Sequence, residues 1–446
     1  MSVAGAPWRG RRLHFIGVGG AGMSGYARAA AALGAEVTGS DSASTPYLER
    51  LVAEGVLRAQ VGHRAENLPP GEDVEAIYSS AVPAENIERL AARERGLAER
   101  PRAELLAELT ALRRTLAVAG THGKTTTASM LVHALRAAGL EPGWLVGGAV
   151  GGGLANAHWS EGEWLVVEAD ESDRSMLSLD TEIALVTNIE LDHHAAFASL
   201  GELREVFREF LARAPWAVVW ERPELLELRA PARRVGFDAE AVRLTAGGSR
   251  FTWHGREVAL GVPGVHNAQN AAAALEGALL AGADPARAIA GVSAFGGAAR
   301  RFQLLGRTPA GALVYDDYAH HPTEVGATLT AARTLPHDRL VAVFQPHLFS
   351  RTQLLARELG RALARADVAV VLDVYPAREK AEDHPGVSGL MVAEAVADAR
   401  PGMPLYWLPA FADAEPALRA LLAARDVCMV MGAGDVDALA GRLVER

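Results

Sequence analysis

The chain has 446 residues, of which 50% are hydrophobic and 22% charged, and its formal net charge is -10. This is the composition of an ordinary globular protein of about two to four domains, and an acidic balance with no basic tail excludes a general nucleic-acid binder. One cysteine, Cys428, excludes a disulfide framework and fits the cytoplasm, and no apolar run reaches the length of a membrane span.

In chain order, the first element is a strand over 13–16. Arg9, Arg11 and Arg12 before it imitate a secretion signal, but the apolar part is short, contains His14 and dissolves into glycines, so it reads as a strand with a basic lead-in. Gly17-Val-Gly-Gly-Ala-Gly22 follows, then an alanine-rich helix to about Gly34 and a strand over 36–38 ending in Gly39-Ser-Asp41. A glycine fingerprint after a strand, with an acid about 20 residues on, lets backbone approach a pyrophosphate and a carboxylate meet a ribose. A helix over 45–54, a strand over 57–61 ending at Gly62-His63, a strand over 74–78 ending at Ser79-Ser80 and a helix over 85–95 continue the α/β rhythm. Pro101 starts the connection to a second domain, with a linking helix over 102–112.

The second domain opens with an apolar strand over 116–119. It empties into Gly120-Thr-His-Gly-Lys-Thr-Thr-Thr127, and a helix-forming stretch runs over 128–138. Strand, glycine loop and helix cradle phosphate on backbone N–H groups, with Lys124 reaching the β/γ-phosphates and the Thr125 hydroxyl facing Mg²⁺. The usual motif wants glycine at 118, where this chain has Val118; its glycine stands at 120. The chain has two lysines, Lys124 and Lys380, and otherwise writes its basic residues as arginine. Keeping a compact ammonium here points to a point-charge phosphate ligand. A glycine-rich loop over 147–153 follows. Strands over 164–167 and 183–187 end in Glu168-Ala-Asp-Glu-Ser-Asp173 and Asn188-Ile-Glu-Leu-Asp-His-His194. A helix over 202–212 and a strand over 217–220 come next. The stretch 235–261 reads as an antiparallel appendage, and Gly264-Val-His-Asn-Ala-Gln-Asn270 opens a helix to about Ala281.

Gly296-Gly297 marks a hinge, about which the last domain closes over ATP. That domain starts with a hairpin over 303–314. It then alternates strands (340–344, 368–372, near 405, 427–431) with helices, and places Asp316-Asp-Tyr-Ala-His-His-Pro322, Gln345-Pro-His-Leu-Phe-Ser-Arg351 and Gly432-Ala-Gly-Asp435 past strand ends. Open α/β sheets bind ligands there.

Two nucleotide-like sites in one chain suggest a reaction that uses both: one domain holds a nucleotide-tagged substrate, the other activates it with ATP. Glu168 suits Mg²⁺ and equally suits a loop ion pair among the acids at 170, 171 and 173. His193 fits a metal-supporting role or a surface histidine. Asn267 and Asn270 share a helix face as ligands or as caps, and Arg301 fits a phosphate contact or an interdomain ion pair. Asp317 lies in a loop that suits either a metal or a plain strand-to-helix turn. Two competing functions are an NAD-dependent oxidoreductase with an added ATPase domain and a non-catalytic nucleotide switch.

The motifs HFIGVGGAGMSG at 14–25, YSSAV at 78–82, AGTHGKTTT at 119–127, VVEADESD at 166–173, TNIELDH at 187–193, GVHNAQNAAAA at 264–274, RRF at 300–302, DDYAHHPTE at 316–324 and FQPHLFSRT at 344–352 together resemble the Mur ligase family end to end. The opening motif and the ESD at 171–173 resemble its alanine-adding branch. The resemblance implies a three-domain α/β fold: a Rossmann-like UDP-substrate domain over 1–108, a central P-loop ATPase-type domain over 109–297, and a Rossmann-like domain over 298–446. It implies ATP- and Mg²⁺-dependent ligation of L-alanine to the lactyl carboxylate of UDP-N-acetylmuramate through an acyl phosphate, in cell-wall precursor synthesis. By the same resemblance, Lys124, Glu168, His193 and Arg301 are catalytic. Gly120, Thr121, His122, Gly123, Lys124, Thr125, Thr126, Asn267, Asn270, Arg301 and Asp317 bind ATP, and Thr125, Glu168 and His193 hold metal. The substrates fall to Gly19, Gly20, Ala21, Gly22, Ser40, Asp41, His63, Ser79, Ser80, Asn188, His347 and Arg351. Leu348 stands where relatives often have arginine, which weakens any second guanidinium there. Lys380 is the only spare lysine for the carbamylation that some siblings use, and it lies in the wrong domain. The expected partners are these small molecules, with no nucleic acid and no membrane insertion, in a monomer or homodimer.

Overall fold

The computed structural model describes residues 6–192, 196–228 and 233–444. It is a three-domain α/β protein built on parallel sheets. The first sheet takes β1 (Arg12–Ile16), β2 (Glu36–Asp41), β3 (Arg58–Val61), β4 (Val74–Tyr78) and β5 (Ala98–Pro101), in the order β3-β2-β1-β4-β5. The strand order reverses beside β1, and the glycine fingerprint leaves the sheet there. Strand β5 corrects the reading of Pro101 as the start of a connection. It is short and carries Glu99 and Arg100, and an edge position tolerates a proline that cannot donate to a ladder.

The central sheet contains β6 (Arg114–Ala119), β7 (Gly143–Leu145), β8 (Ala157–His158), β9 (Trp164–Glu168), β10 (Ile183–Val186), β11 (Trp216–Trp220) and β12 (Arg233–Phe237), in the order β12-β11-β10-β6-β9-β7-β8. Strand β12 corrects the assignment of its residues to an antiparallel appendage, because it pairs parallel with β11 and extends this sheet. The appendage proper is β13 (Glu240–Thr245), β14 (Gly248–Trp253) and β15 (Arg256–Leu260), all antiparallel. The helix after β6 starts at Lys124, not at Ala128. Thr125, Thr126 and Thr127 are poor helix formers by propensity, but their burial against the domain overrides it.

The last sheet takes β16 (Gln303–Arg307), β17 (Leu313–Asp317), β18 (Leu340–Phe344), β19 (Val368–Leu372), β20 (Leu405–Leu408) and β21 (Val427–Met431), in the order β16-β17-β21-β18-β19-β20. Its continuous apolar strands are buried on both faces, one face packing Val325, Leu359 and Val392 and the other Leu418, Leu439 and Leu443. By contacts the chain divides into two compact units. One holds residues up to Ile189, Gly201–Phe237 and Ala273–Val292; the other holds Glu190–Leu200, Asp238–Ala272 and Ser293 onward. Among the described residues, no helix is long and apolar enough to cross a membrane.

Candidate active site

The phosphate loop is built from two glycines and a brace. Gly120 has φ +132°, and a Cβ there would lie 2.0 Å from the Thr187 hydroxyl, so a side chain is excluded by both conformation and space. Gly123 takes φ +81° and caps the helix Lys124–Ala137 in the left-handed region. Between them the loop is held by the residues after β10. Thr121 N–H donates to the Asn188 carbonyl at 3.1 Å. His122 N–H donates to Asn188 Oδ1 at 2.9 Å, and Asn188 Nδ2 donates back to the His122 carbonyl at 2.9 Å. The first N–H groups of a helix have no carbonyl partner within it, so this brace aims a set of donors past β6.

Lys124 Nζ donates to the Gly120 carbonyl at 2.6 Å and to the Glu171 carboxylate at 2.9 Å. Burial alone would lower its pKa, but Glu171 and Asp170 outweigh that and hold the ammonium above the ordinary lysine value. The Thr125 hydroxyl lies 3.0 Å from Glu168 Oε2, and Gly147 N–H fixes that same oxygen at 2.7 Å. The glycine-rich loop is thus anchored to Glu168 at its first residue. Glu168 therefore stands beside the loop lysine and threonine rather than in a surface ion pair. Hydroxyl and carboxylate oxygens this close form a hard donor set that fits Mg²⁺. His193 lies outside the described residues.

The fingerprint of the first sheet meets the same region. Gly19 N–H donates to Asp41 Oδ2 at 2.8 Å, and the Thr45 hydroxyl donates to the Gly19 carbonyl at 2.8 Å. Gly20 caps the helix Ala21–Ala32. A cavity of about 130 Å³ is lined by Ala21, Gly22, Tyr26, Arg102, Gly147 and Glu168 among others, so the fingerprint turn and Glu168 face one space. Arg102, on the helix Arg102–Ala111, bonds Asp173 at 2.5 Å and Asp170 at 3.3 Å, which ties that helix to the loop carrying Glu171. Ser79 and Ser80 follow β4, with the Ser79 hydroxyl accepting from Ala81 N–H at 3.3 Å. Ser40 is fully buried and His63 lies next to it.

In the other unit, Arg301 lies 3.7 Å from Glu324 and over the Tyr318 ring. Its neighbours Arg300 and Phe302 take φ +55° and +51°, strained values for non-glycine residues. Asp317 holds this turn, with Phe302 N–H and Ala319 N–H each donating to its carboxylate at 2.8 Å. Burial raises the pKa of Asp317 to about 6, and does the same for Asp316. Asn267 donates to the Pro263 carbonyl at 2.7 Å, and Asn270 is buried on the same helix. Arg351 holds Asp192 in a buried ion pair at 2.9 Å. His347 lies 3.1 Å from the Arg351 guanidinium and stacks on Tyr375, and burial with the nearby His320 and Arg351 lowers its pKa to about 3. Leu348 opens the following helix with φ +69°.

Sequence reasoning gave no role to Glu171, Arg102, Asp192 or Glu88. Glu171 and Asp192 lie within quoted motifs as acids among several; Arg102 and Glu88 owe their importance to partners far away in the chain.

Strand, glycine loop, lysine and the carboxylate bonded to Thr125 define an α/β enzyme of the nucleotide-binding P-loop kind. Family comparison narrows this. The Mur ligase family, catalytic domain matches residues 12–114, the Mur ligase middle domain 118–278, and the Mur ligase, glutamate ligase domain 300–434. Curated relatives include the UDP-N-acetylmuramate--L-alanine ligase of Rubrobacter xylanophilus, 43% identical over 98% of this chain and 100% of its own. The Kineococcus radiotolerans protein of the same name is 45% identical over 95% of this chain and 94% of its own. Among solved structures, the UDP-N-acetylmuramate-alanine ligase of Thermotoga maritima superposes with a TM-score of 0.84 at 26% identity over 98% of each chain. The chain belongs to the Mur ligase family.

Proposed function

We propose that the chain joins L-alanine to the lactyl carboxylate of UDP-N-acetylmuramate, driven by ATP. A carboxylate oxygen attacks the γ-phosphorus of ATP, which forms an acyl phosphate and releases ADP. The neutral amine of L-alanine then attacks the acyl carbon. The tetrahedral species expels inorganic phosphate, the amine proton passes to solvent, and an amide remains. The observation that carries this reading is the cavity shared by the fingerprint turn and Glu168, beside Lys124 and Thr125. A nucleotide-tagged acid and a triphosphate both need such a place.

Lys124 and the Gly120–Thr126 backbone are assigned the phosphates of ATP, where two anions must approach each other. Mg²⁺ would be held by Thr125 and Glu168, with His193 as a further ligand, and supplies neutralisation of phosphate charge when bound. Asn267, Asn270, Arg301 and Asp317 are assigned to ATP. His347 and Arg351 are assigned to the amino acid or the reacting carboxylate. The fingerprint residues Gly19 to Gly22, with Ser40, Asp41, His63, Ser79 and Ser80, are assigned to the UDP substrate, whereas Asn188, expected among the substrate contacts, is assigned to the phosphate loop because both ends of its side-chain amide bond His122. In this division 1–108 binds the UDP substrate, 109–297 binds ATP, and 298–446 completes the amino-acid and ATP contacts.

Phosphate release that requires both UDP-N-acetylmuramate and L-alanine tests the reading. Equal release with glycine, D-glutamate or a tripeptide would overturn the alanine assignment and leave the ligase class standing.

A further inference from the structure

Inside the first domain lies a carboxylate for which the ligation chemistry has no use. Glu88, on the helix Ile87–Glu94, is fully buried. Its oxygens accept from the Ser40 hydroxyl at 2.6 Å, Asn67 Nδ2 at 2.6 Å, Arg64 N–H at 3.0 Å and His14 Nε2 at 3.2 Å. His63 Nδ1 lies 3.5 Å from the same carboxylate and 3.1 Å from Ser40 Oγ.

The protons in this cluster can be assigned. An ionised carboxylate only accepts. Ser40 has one hydroxyl proton, and at 2.6 Å it goes to Glu88. Ser40 Oγ then has only lone pairs to offer His63, so His63 Nδ1 must carry hydrogen. In the neutral ring that leaves Nε2 as an acceptor, and among the described residues Nε2 has no partner. A partner on one ring nitrogen fixing the role of the other is the usual way a histidine tautomer is set. The ring is also well placed. Gly62 N–H donates to the Asp41 carbonyl at 2.7 Å, so His63 follows directly at the sheet end that carries Gly19 and Asp41, and its side chain is 19% exposed.

We propose that Glu88 is a positioning residue: through Ser40 it fixes the Nδ1–H tautomer of His63, whose Nε2 accepts a hydrogen bond from the nucleoside of the UDP-linked substrate. The contact rests on the assignment of UDP to the first domain. The diphosphate offers no donor, so the donor is uracil N3–H or a ribose hydroxyl.

The experiment uses the full chain labelled with ¹⁵N-histidine, with UDP as the titrant. The ligand-free spectrum should show His63 as the Nδ1–H tautomer, and UDP should shift its Nε2 resonance. His63→Ala and Glu88→Ala, which removes the acceptor of the Ser40 hydroxyl, should each weaken UDP by about 10-fold, the loss of one hydrogen bond, and together by no more than either alone. In Glu88→Ala, KM for the UDP substrate should rise while kcat at saturation stays within about 3-fold. Loss of affinity with N3-methyl-UDP assigns the contact to uracil, and loss with 2′-deoxy-UDP assigns it to ribose. If Glu88→Ala does not fold, Ser40→Ala and the wild-type spectrum carry the test. An Nε2–H ring in a chain that binds UDP would overturn the positioning role, as would additive losses in the double variant. An Nδ1–H ring in a chain that ignores UDP would instead overturn the substrate assignment.

Discussion

At the scale of single residues, the site turns on what Lys124 and Glu168 can do that close substitutes cannot. A guanidinium is planar and wider than an ammonium, and it does not fit between the Gly120 carbonyl and Glu171. Lys124→Arg is predicted to lose about 100-fold or more in kcat with the fold intact, by phosphate release alongside circular dichroism. Glu168→Gln keeps an acceptor for the Thr125 hydroxyl but removes a charge. Its Mg²⁺ requirement should move upward by about 10-fold or more, read from a metal titration of activity. An unchanged Mg²⁺ curve would remove Glu168 from the metal site.

Elements set how these residues are held. The phosphate loop owes its shape to Thr187 and Asn188 past β10, a strand next to the one that carries it. Asn188→Ala should therefore weaken ADP binding by roughly 10-fold, from the loss of two backbone tethers, in a calorimetric titration. Gly120→Ala, with its 2.0 Å clash, should abolish that binding. These dependencies were only partly legible in the sequence. Leu116–Ala119, Val368–Leu372 and Val427–Met431 were readable because strands buried on both faces are continuously apolar. Strands β5, β7 and β8 were missed, and so was the helix Pro285–Ser293. The edge strands β5 and β8 have little apolar pattern, β7 is only three residues long, and β12 begins with two arginines. The phosphate loop and fingerprint were legible as local motifs. The Arg351–Asp192 and Ser40–Glu88 pairs were not, because no local periodicity records a partner on another element.

Over the whole molecule, buried carboxylates give pH dependence of opposite sign. Burial would raise the pKa of Glu88, but hydrogen bonds from His14, Ser40, Asn67 and Arg64 overcome it and hold the group at about 2. A depressed acid contributes stability above its unfolded value, and that stability is lost as pH falls through the folded one. Glu88 thus adds about 3 kcal/mol at neutral pH, which vanishes between about pH 4.5 and pH 2. Asp316 and Asp317 run the other way, since burial raises both to about 6. Their charged forms weaken the fold at neutral pH, and the weakening is relieved as pH falls through 6 toward 3.8. A multidomain chain does not unfold in one step, so the readout is local hydrogen exchange corrected for its intrinsic pH dependence. Protection of β17 should rise from pH 7 to pH 5, and protection of β2 should collapse below about pH 4. Asp316→Asn should reduce the first change, with Asp317 keeping the remainder, and leave the second.

The Lys124–Glu171 pair has a consequence for the durability of the enzyme. An acyl phosphate is an acylating agent, and the proposed reaction makes one beside a primary amine. A neutral lysine would take the acyl group, expel phosphate and leave the enzyme dead with its substrate attached. Glu171 and Asp170 hold Lys124 as an ammonium, which has no lone pair to attack with. In that light the acidic partner keeps the enzyme from becoming its own substrate. Glu171→Gln combined with Asp170→Asn, which removes both acids, should lose activity progressively during turnover and gain the mass of the acyl group at Lys124, and intact-protein mass spectrometry against elapsed turnovers would read both.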